Sequence, residues 1–498
     1  MTTVYKPTPA VASFLARKHQ LLIGGEWLDA CSEKRIEVLN PADKKVISTV
    51  AEGASIDVDR AVEAARAAFD SGSWSDIAAA QRTKILWRWA DLIEQNADQL
   101  VELEVLDNGM PMTLARGFLD HGVGWIRYYA IMCDKITGKN MSDVISSSDV
   151  RFHAYTQLKP IGVAALILPW NGPIGLFLIK TSPALAAGCA CVVKPAENTP
   201  LTALRLAELA LEAGIPEGIL NVVTGFGAAG EALAHHPCVD KISFTGSTAV
   251  GKQIIRAASG NLKRVTLELG GKSPCIIFDD ADLDEAIPAA AMAIFLNSGQ
   301  VCFAGSRLYV QRRVYDRVIA GIADFSQSLK VGNGMHPETM LGPLISEQQL
   351  RRVNQMVDHG RSEGAEIITA KMPLSDDGFF VAPTIFANVN ADMSIVKEEI
   401  FGPVLVATPF DTTEEVLALA NDTQYGLGAG VFSNNINRIH RVAEKLQSGN
   451  VWVNHYGGMQ SSMPFGGFKQ SGWGRELGED GFLAFTEQKS VSIQLRDS

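Results

Sequence analysis

From Ile161 onward the chain repeats one pattern that few folds satisfy, a short β-rich apolar run followed by a helical segment. The runs are IGVAALIL (161–168), CVV (191–193), ILNVVT (219–224), KISF (241–244) and VTLEL (265–269). Such alternation predicts a parallel sheet joined by right-handed crossovers. One connecting helix is well punctuated, with Thr199 as N-cap, Pro200 at the first helical position, Leu201, Leu204, Ala207 and Leu211 on one apolar face, then Gly214 and Pro216. A second series begins near Cys275, with CIIF, SRLYV (306–310), VLVATPF (404–410) and GNVWVN (449–454) separated by helical stretches such as 414–421. It predicts another α/β domain. The helical spacing of Val58, Val62, Ala65 and Phe69, continued over 81–106, predicts a mainly helical first 135 residues. Segments 140–160 and 488–495 alternate in polarity and suit strands outside the main sheets.

Length and charge narrow the function classes. A chain of 498 residues allows three domains at most, and 47 % apolar with 20 % charged residues is ordinary globular composition. The net charge is −11 and no Lys/Arg-rich block is present, so neither nucleic acid nor a membrane surface is expected as a partner. No apolar stretch approaches the roughly 18 residues that a span requires. The first 20 residues carry Lys6, Pro7 and Pro9 where a signal peptide needs an apolar stretch. Seven cysteines, an odd number, suit free thiols in a reducing compartment, and the expected location is cytoplasmic.

Several short stretches carry chemistry. Gly225-Phe226-Gly227-Ala228-Ala229-Gly230 fits the dinucleotide pattern, yet no acid stands about twenty residues on to hold a ribose, so a plain glycine turn fits as well. Val193-Lys194-Pro195-Ala196-Glu197 delivers a lysine and a carboxylate to the end of a strand, where Glu197 suits two ribose hydroxyls or a solvated ion pair. In Phe244-Thr245-Gly246-Ser247-Thr248, backbone N–H groups and Ser247 at a helix start suit a pyrophosphate, or helix capping alone. Glu268 sits inside the apolar run before Gly270-Gly271, where burial would raise its pKa and suit it to general base work; a solvent-facing strand position is the alternative. Cys302 lies among Gly299, Gln300, Ala304 and Gly305, small residues that let a substrate approach closely. Asn171, in Pro169-Trp170-Asn171-Gly172-Pro173, is either turn chemistry or a donor to a developing oxyanion.

Together these stretches resemble the aldehyde dehydrogenase superfamily over about Leu22 to Ile493, through PWNGP, KPAENTP, FTGSTAVGK, LELGGKSP, GQVCFAGSR, EEIFGPV (398–404), GNVWVN and PFGGFKQSGWGRE (464–476) in the family's order and spacing. The resemblance implies an α/β fold with a Rossmann-like, parallel-sheet NAD-binding domain (1–139 and 160–270), an α/β catalytic domain (271–470) and an oligomerisation β-flap (140–159 and 486–498). It further implies a homodimer or homotetramer, a small-molecule aldehyde as substrate and no metal. Carried over residue by residue, it makes Cys302 the thiolate nucleophile, Asn171 and the Cys302 backbone N–H the oxyanion donors, and Glu268 the base that activates water. Glu399 and Phe401 would clamp the nicotinamide ribose, Lys194 and Glu197 the adenosine ribose, and Ser247 and Trp170 the pyrophosphate, with Gly227 and Gly270 also on the cofactor. The Glu197 carboxylate repels a 2′-phosphate, which favours NAD over NADP. Arg264, Arg475 and Glu487 resemble the family's structural ion-pair set.

Departures from the family bear on the substrate. Gly172 replaces the usual Phe, and Ile179 stands where Trp is common; both changes are expected to enlarge the substrate tunnel. Gly457 and Met459, with Leu176, Leu296, Val301, Phe303 and Phe465, would line a wide apolar channel. FLARKHQLLIGGEW and WIRYYAIMCDKITGK (125–139) look most like the phenylacetaldehyde dehydrogenase branch. The expected reaction is oxidation of a bulky arylacetic or terpenoid aldehyde. A cysteine acyl-transfer catalyst (an esterase or CoA-acylating relative) and an inactive homologue are the alternatives, against which Glu268 and the intact Cys302–Glu268–Asn171 set respectively argue.

Overall fold

Each apolar run of the first series becomes a strand, and their order in space explains where a ligand goes. The computed structural model describes residues 5–141, 151–368, 372 and 374–495. Its larger sheet has eight strands in the order Gly472–Trp473, Arg264–Glu268, Lys241–Thr245, Val163–Ile167, Ala190–Lys194, Leu220–Val222, Leu21–Ile23 and Glu26–Leu28. The five central strands are mutually parallel. The chain starts at Val163–Ile167, steps outward twice on one side, then returns to place Lys241–Thr245 on the other. The order therefore reverses between Val163–Ile167 and Lys241–Thr245, and the loops leaving the carboxyl ends of those two strands diverge around a crevice. Those loops hold Trp170-Asn171 and Gly246-Ser247.

The second series forms a seven-stranded sheet, Glu366–Ile367, Thr384–Ala387, Val404–Phe410, Arg307–Gln311, Pro274–Ile277, Gly428–Phe432 and Asn450–Val453, parallel except for its first strand. The turn Leu269–Ser273 joins the two sheets, so the carboxyl end of Arg264–Glu268 faces the amino end of Pro274–Ile277. Cys302 arrives just ahead of the neighbouring strand Arg307–Gln311. Strand Arg151–Pro160 pairs antiparallel with Thr486–Leu495 along its full length, outside both sheets. Residues 142–150 and 496–498 of the expected flap lie outside the described residues.

Two expectations are corrected here and a third gains detail. The first 135 residues are mainly helical as expected, with helices Pro9–Leu15, Ser55–Asp70, Ala79–Gln95, Ala97–Asn108 and Met112–Ile131, but Leu21–Ile23, Glu26–Leu28, Arg35–Asn40 and Lys45–Ala51 are strands between the first two of them. Leu21–Ile23 joins the larger sheet antiparallel to Leu220–Val222, and Glu26–Leu28 closes that edge; each is too short to show a pattern in the sequence. Thr199 does not cap its helix, which runs Leu201–Ala213 with Pro200 at the N-cap; the Asp107 carboxylate instead accepts from the Leu201 N–H at 2.9 Å. Thr384–Ala387 and Gly428–Phe432 are strands missing from the second series, the first because a proline precedes it and the second because GAGVF is glycine-rich. Among the described residues no helix is long and apolar enough to cross a membrane.

Candidate active site

The nucleophile loop is wound into an unfavourable backbone. Asn297, Ser298 and Gly299 have φ of +50°, +54° and +75°, three consecutive left-handed residues of which only the glycine adopts that region freely. Surrounding contacts hold the strain. Asn297 Nδ2 donates to the Asn171 carbonyl at 2.9 Å, Ser298 Oγ to the Gly342 carbonyl at 2.7 Å, and Gln300 Oε1 accepts from the Ile345 N–H at 2.9 Å. Glycine is required at 299, since a Cβ there would lie 2.1 Å from the Gly402 carbonyl carbon. The winding brings Cys302, partly exposed, into a cavity of about 220 Å³ with Trp170, Asn171, Ser247, Gly270, Glu399 and Phe401.

Within this cavity the sulfur, an amide and a carboxylate converge. Asn171 Nδ2 donates to the Gln300 carbonyl at 2.9 Å, which fixes the amide plane beside Cys302. Burial, then the Glu268 and Glu399 carboxylates, push the Cys302 thiol well above its usual range, partly offset by the backbone N–H groups of Phe303 and Cys302. Among the described residues no cation offsets these effects, so the thiol must lose its proton before it can attack as the expected thiolate. Tyr456, a residue that sequence reasoning missed, donates from Oη to the Phe303 carbonyl at 2.7 Å. Its ring fits only because positions 305 and 430 are glycines, where a Cβ would lie 3.1 and 2.4 Å from it. A ring directly before Gly457-Gly458 was the available signal.

Glu268 is placed differently. It ends its strand only 2 % exposed, and neither carboxylate oxygen has a hydrogen-bond partner. Burial, then Glu476, raise its pKa well above the usual range, against the pull of Lys180 and Arg475. Lys180 Nζ pairs with Glu476 and donates to Ser243 Oγ at 2.9 Å. Glu268 is not among the residues around the 220 Å³ cavity; it lies beneath, against Gly466. Within the chain Arg475 donates to the Gly467 and Gly474 carbonyls, and Arg264 pairs with Glu487 at 2.7 Å.

A larger cavity of about 820 Å³ adjoins, and Pro169, Trp170, Thr245, Gly246 and Ser247 border both. Lys194, Glu197, Gly227 and Gly230 line its far part. Lys194 Nζ sits 3.3 Å from Glu197 Oε2, and burial lowers its pKa. Ser247 is the N-cap of helix Thr248–Ala258, its Oγ accepting from the Val250 N–H, and the backbone beside it faces the cavity. The buried Thr245 Oγ1 has no partner and borders both cavities. Glu399 Oε1 accepts from the Gly271 N–H at 2.9 Å, and a Cβ at Gly270 would lie 2.2 Å from the other carboxylate oxygen. Burial raises Glu399 to about 7. Phe401, at φ +59°, is pinned by Gln349 donating to its carbonyl and stands edge-on to Trp170, centroids 5.3 Å apart. Two joined cavities, ribose-suited groups at each end and a helix N-terminus between them fit a dinucleotide.

The expected channel residues divide. Leu176, Leu296, Phe303 and Met459 are partly exposed; Phe303 stacks with Trp452 (5.4 Å) and Phe465 (5.8 Å), and Gly457 approaches its ring. Ile179 is 1 % exposed and belongs to the core, because its face of helix Pro173–Ala187 points inward. Val301 turns away from Cys302 toward Gly299, Ile294 and Val404, packing with the second sheet. Gly172 is buried, and the space beside it is occupied by Phe118.

Residues 27–491 match the aldehyde dehydrogenase family. An aldehyde dehydrogenase of Davidiella tassiana is 45 % identical over 500 residues, covering 100 % of this chain and 99 % of that one. The mitochondrial aldehyde dehydrogenase of Mesocricetus auratus is 46 % identical over 481 residues, covering 96 % and 95 %. The NAD⁺ complex of aldehyde dehydrogenase from Bacillus cereus superposes with a TM-score of 0.96 at 45 % identity, covering 99 % of this chain and 100 % of that one. With a strained cysteine loop at the mouth of a dinucleotide-sized crevice, and likeness over its whole length, this chain belongs to the aldehyde dehydrogenase family.

Proposed function

We propose that this aldehyde dehydrogenase oxidises a bulky hydrophobic aldehyde, arylacetic or terpenoid, to its carboxylic acid with NAD. The observation that carries the reading is the shared cavity: Cys302, Asn171, Glu399 and Phe401 surround one space that continues into the larger crevice. Lys194, Glu197, Gly227 and Ser247 would hold the adenosine and pyrophosphate, and Glu399, Phe401 and Gly270 the nicotinamide ribose. Bound there, NAD supplies a hydride acceptor beside the sulfur.

Cys302 gives up its proton to solvent and its sulfur adds to the aldehyde carbon, moving the carbonyl π pair onto oxygen. The Asn171 amide and the Cys302 backbone N–H hold that oxyanion, a contribution of about 3 kcal/mol for a preorganised donor. As the oxygen pair returns, hydride departs and a thioester to Cys302 remains. Glu268 must first lose its own proton, then takes one from water; the water oxygen adds to the thioester, the C–S bond breaks and the acid leaves. The half-exposed apolar groups Leu176, Phe303 and Met459 support an apolar aldehyde. Exposed Ile493 and Leu495 on the paired strands support assembly into a homodimer or homotetramer, and a cytoplasmic location completes the reading.

The test follows NADH absorbance with phenylacetaldehyde and NAD. The wild type is expected to reduce NAD and Cys302→Ala to abolish the signal, by about 10⁴-fold or more. Acyl products without NADH favour acyl transfer instead, and neither signal favours an inactive homologue.

A further inference from the structure

Two helices meet beside the nucleophile through glycines on both sides. In helix Met112–Ile131, a Cβ on Gly122 would lie 2.5 Å from Leu178 Cδ1, so Leu178 of helix Pro173–Ala187 presses into the bare backbone there. In return Phe118, one turn earlier, lies across Gly172 and Gly175: a Cβ at 172 would sit 3.7 Å from Phe118 Cε1 and Cζ, and one at 175 only 2.9 Å from Cδ1. Positions 172 and 175, three residues apart, share a face at the start of that helix. Leu176 Cδ1 is also 3.7 Å from the position-172 Cβ, and Asn171 immediately precedes Gly172. Phe118 is only half-buried. A Cβ at 172 would fit in ordinary contact with this ring, but a larger side chain extending from it would run into an aromatic ring from another helix, one part of which is still open.

Resting on the aldehyde-oxidation reading, we propose that Phe118 is the specificity-determining residue of the substrate channel. Its ring lies half-buried against Gly172, the residue after Asn171, with Leu176 at the same distance from that position, and it sets the size and flatness of the apolar group admitted beside Asn171. Position 172 acts through Phe118: a large side chain at 172 and the ring at 118 compete for one volume, and the channel accepts either but not both.

The test measures kcat/KM for phenylacetaldehyde relative to acetaldehyde in wild type, Phe118→Ala, Gly172→Phe and the double variant, with thermal unfolding as a fold control. Phe118→Ala is expected to lower the ratio about tenfold, as loss of one apolar wall does. Gly172→Phe lowers it further, and the double variant recovers it to within about threefold of wild type, the non-additivity of residues that share a site. Should Phe118→Ala not fold, Phe118→Leu replaces it, with an expected change of about threefold. A ratio unmoved at 118, or a double variant that is the product of the singles, overturns the proposal. NADH from no aldehyde in the wild type overturns the function reading itself, a distinct result.

Discussion

The cofactor crevice and the aldehyde side lie on either side of the Cys302 cavity but are built by opposite means. The crevice and the cavity that adjoins it are walled by strand ends and backbone: Lys194 at the close of Ala190–Lys194, Gly246 and Ser247 after Lys241–Thr245, Gly270 after Arg264–Glu268. Each wall is a contiguous stretch of a few residues, positioned by one sheet. The aldehyde side draws single side chains from separated elements: Phe118 from helix Met112–Ile131, Leu176 from Pro173–Ala187, Phe303 from the nucleophile loop, and Tyr456 and Phe465 from the segment after the last strand of the second sheet. A site made of backbone at a strand end accepts little variation, whereas one made of separate side chains is retuned one residue at a time.

The comparison can be tested where the two halves differ in chemistry. Glu268→Gln leaves hydride transfer intact but removes the base, so one burst of NADH is expected, followed by a steady state slower by about 10²- to 10⁴-fold. Rapid mixing reads both phases, and absence of the burst assigns Glu268 to thiol activation as well. Because the buried acid is protonated at rest, wild-type deacylation is expected to rise with pH. Glu197→Ala touches only the crevice: loss of charged hydrogen bonds to a ribose raises KM for NAD by roughly tenfold or more and narrows its advantage over NADP. Tyr456→Phe touches only the other half. Leaving the Phe303 carbonyl without its donor costs about 1–3 kcal/mol of local order, and kcat is expected to fall about threefold to tenfold with KM for NAD unmoved.

The smallest effect lies beneath both halves. Glu104 is fully buried, and its carboxyl accepts from the Ile174 N–H at 3.2 Å and Thr202 Oγ1 at 3.1 Å, joining the starts of two helices. Burial raises it to about 8. The folded state thus holds the proton more tightly than the unfolded chain, with its ordinary value of 4.5. This stability is complete below that value and is lost as pH rises to about 8. The unfolding midpoint is expected to drop by a few degrees between pH 6 and 8.5, and by less in Glu104→Gln. An equal drop in both chains removes Glu104 from this role.

What the sequence made legible follows the same division. Apolar runs such as IGVAALIL had one possible fate, and the motifs at their ends came with them. The strands between 21 and 51 were hidden because two are only three residues long and the other two form a hairpin with half-polar faces. Ile179 was misassigned because helical spacing does not say which face looks inward. Phe118 had no motif; only Gly172 and Gly175 three residues apart hinted that something had to lie upon them.

The two sheets meet end to end, with the sulfur carried by one and the buried base by the other. A slide of a fraction of an ångström along that joint would alter the reaction geometry without breaking a strand. Activity should consequently fade on warming before the sheets melt, and a bridge across the joint would harden the enzyme against heat.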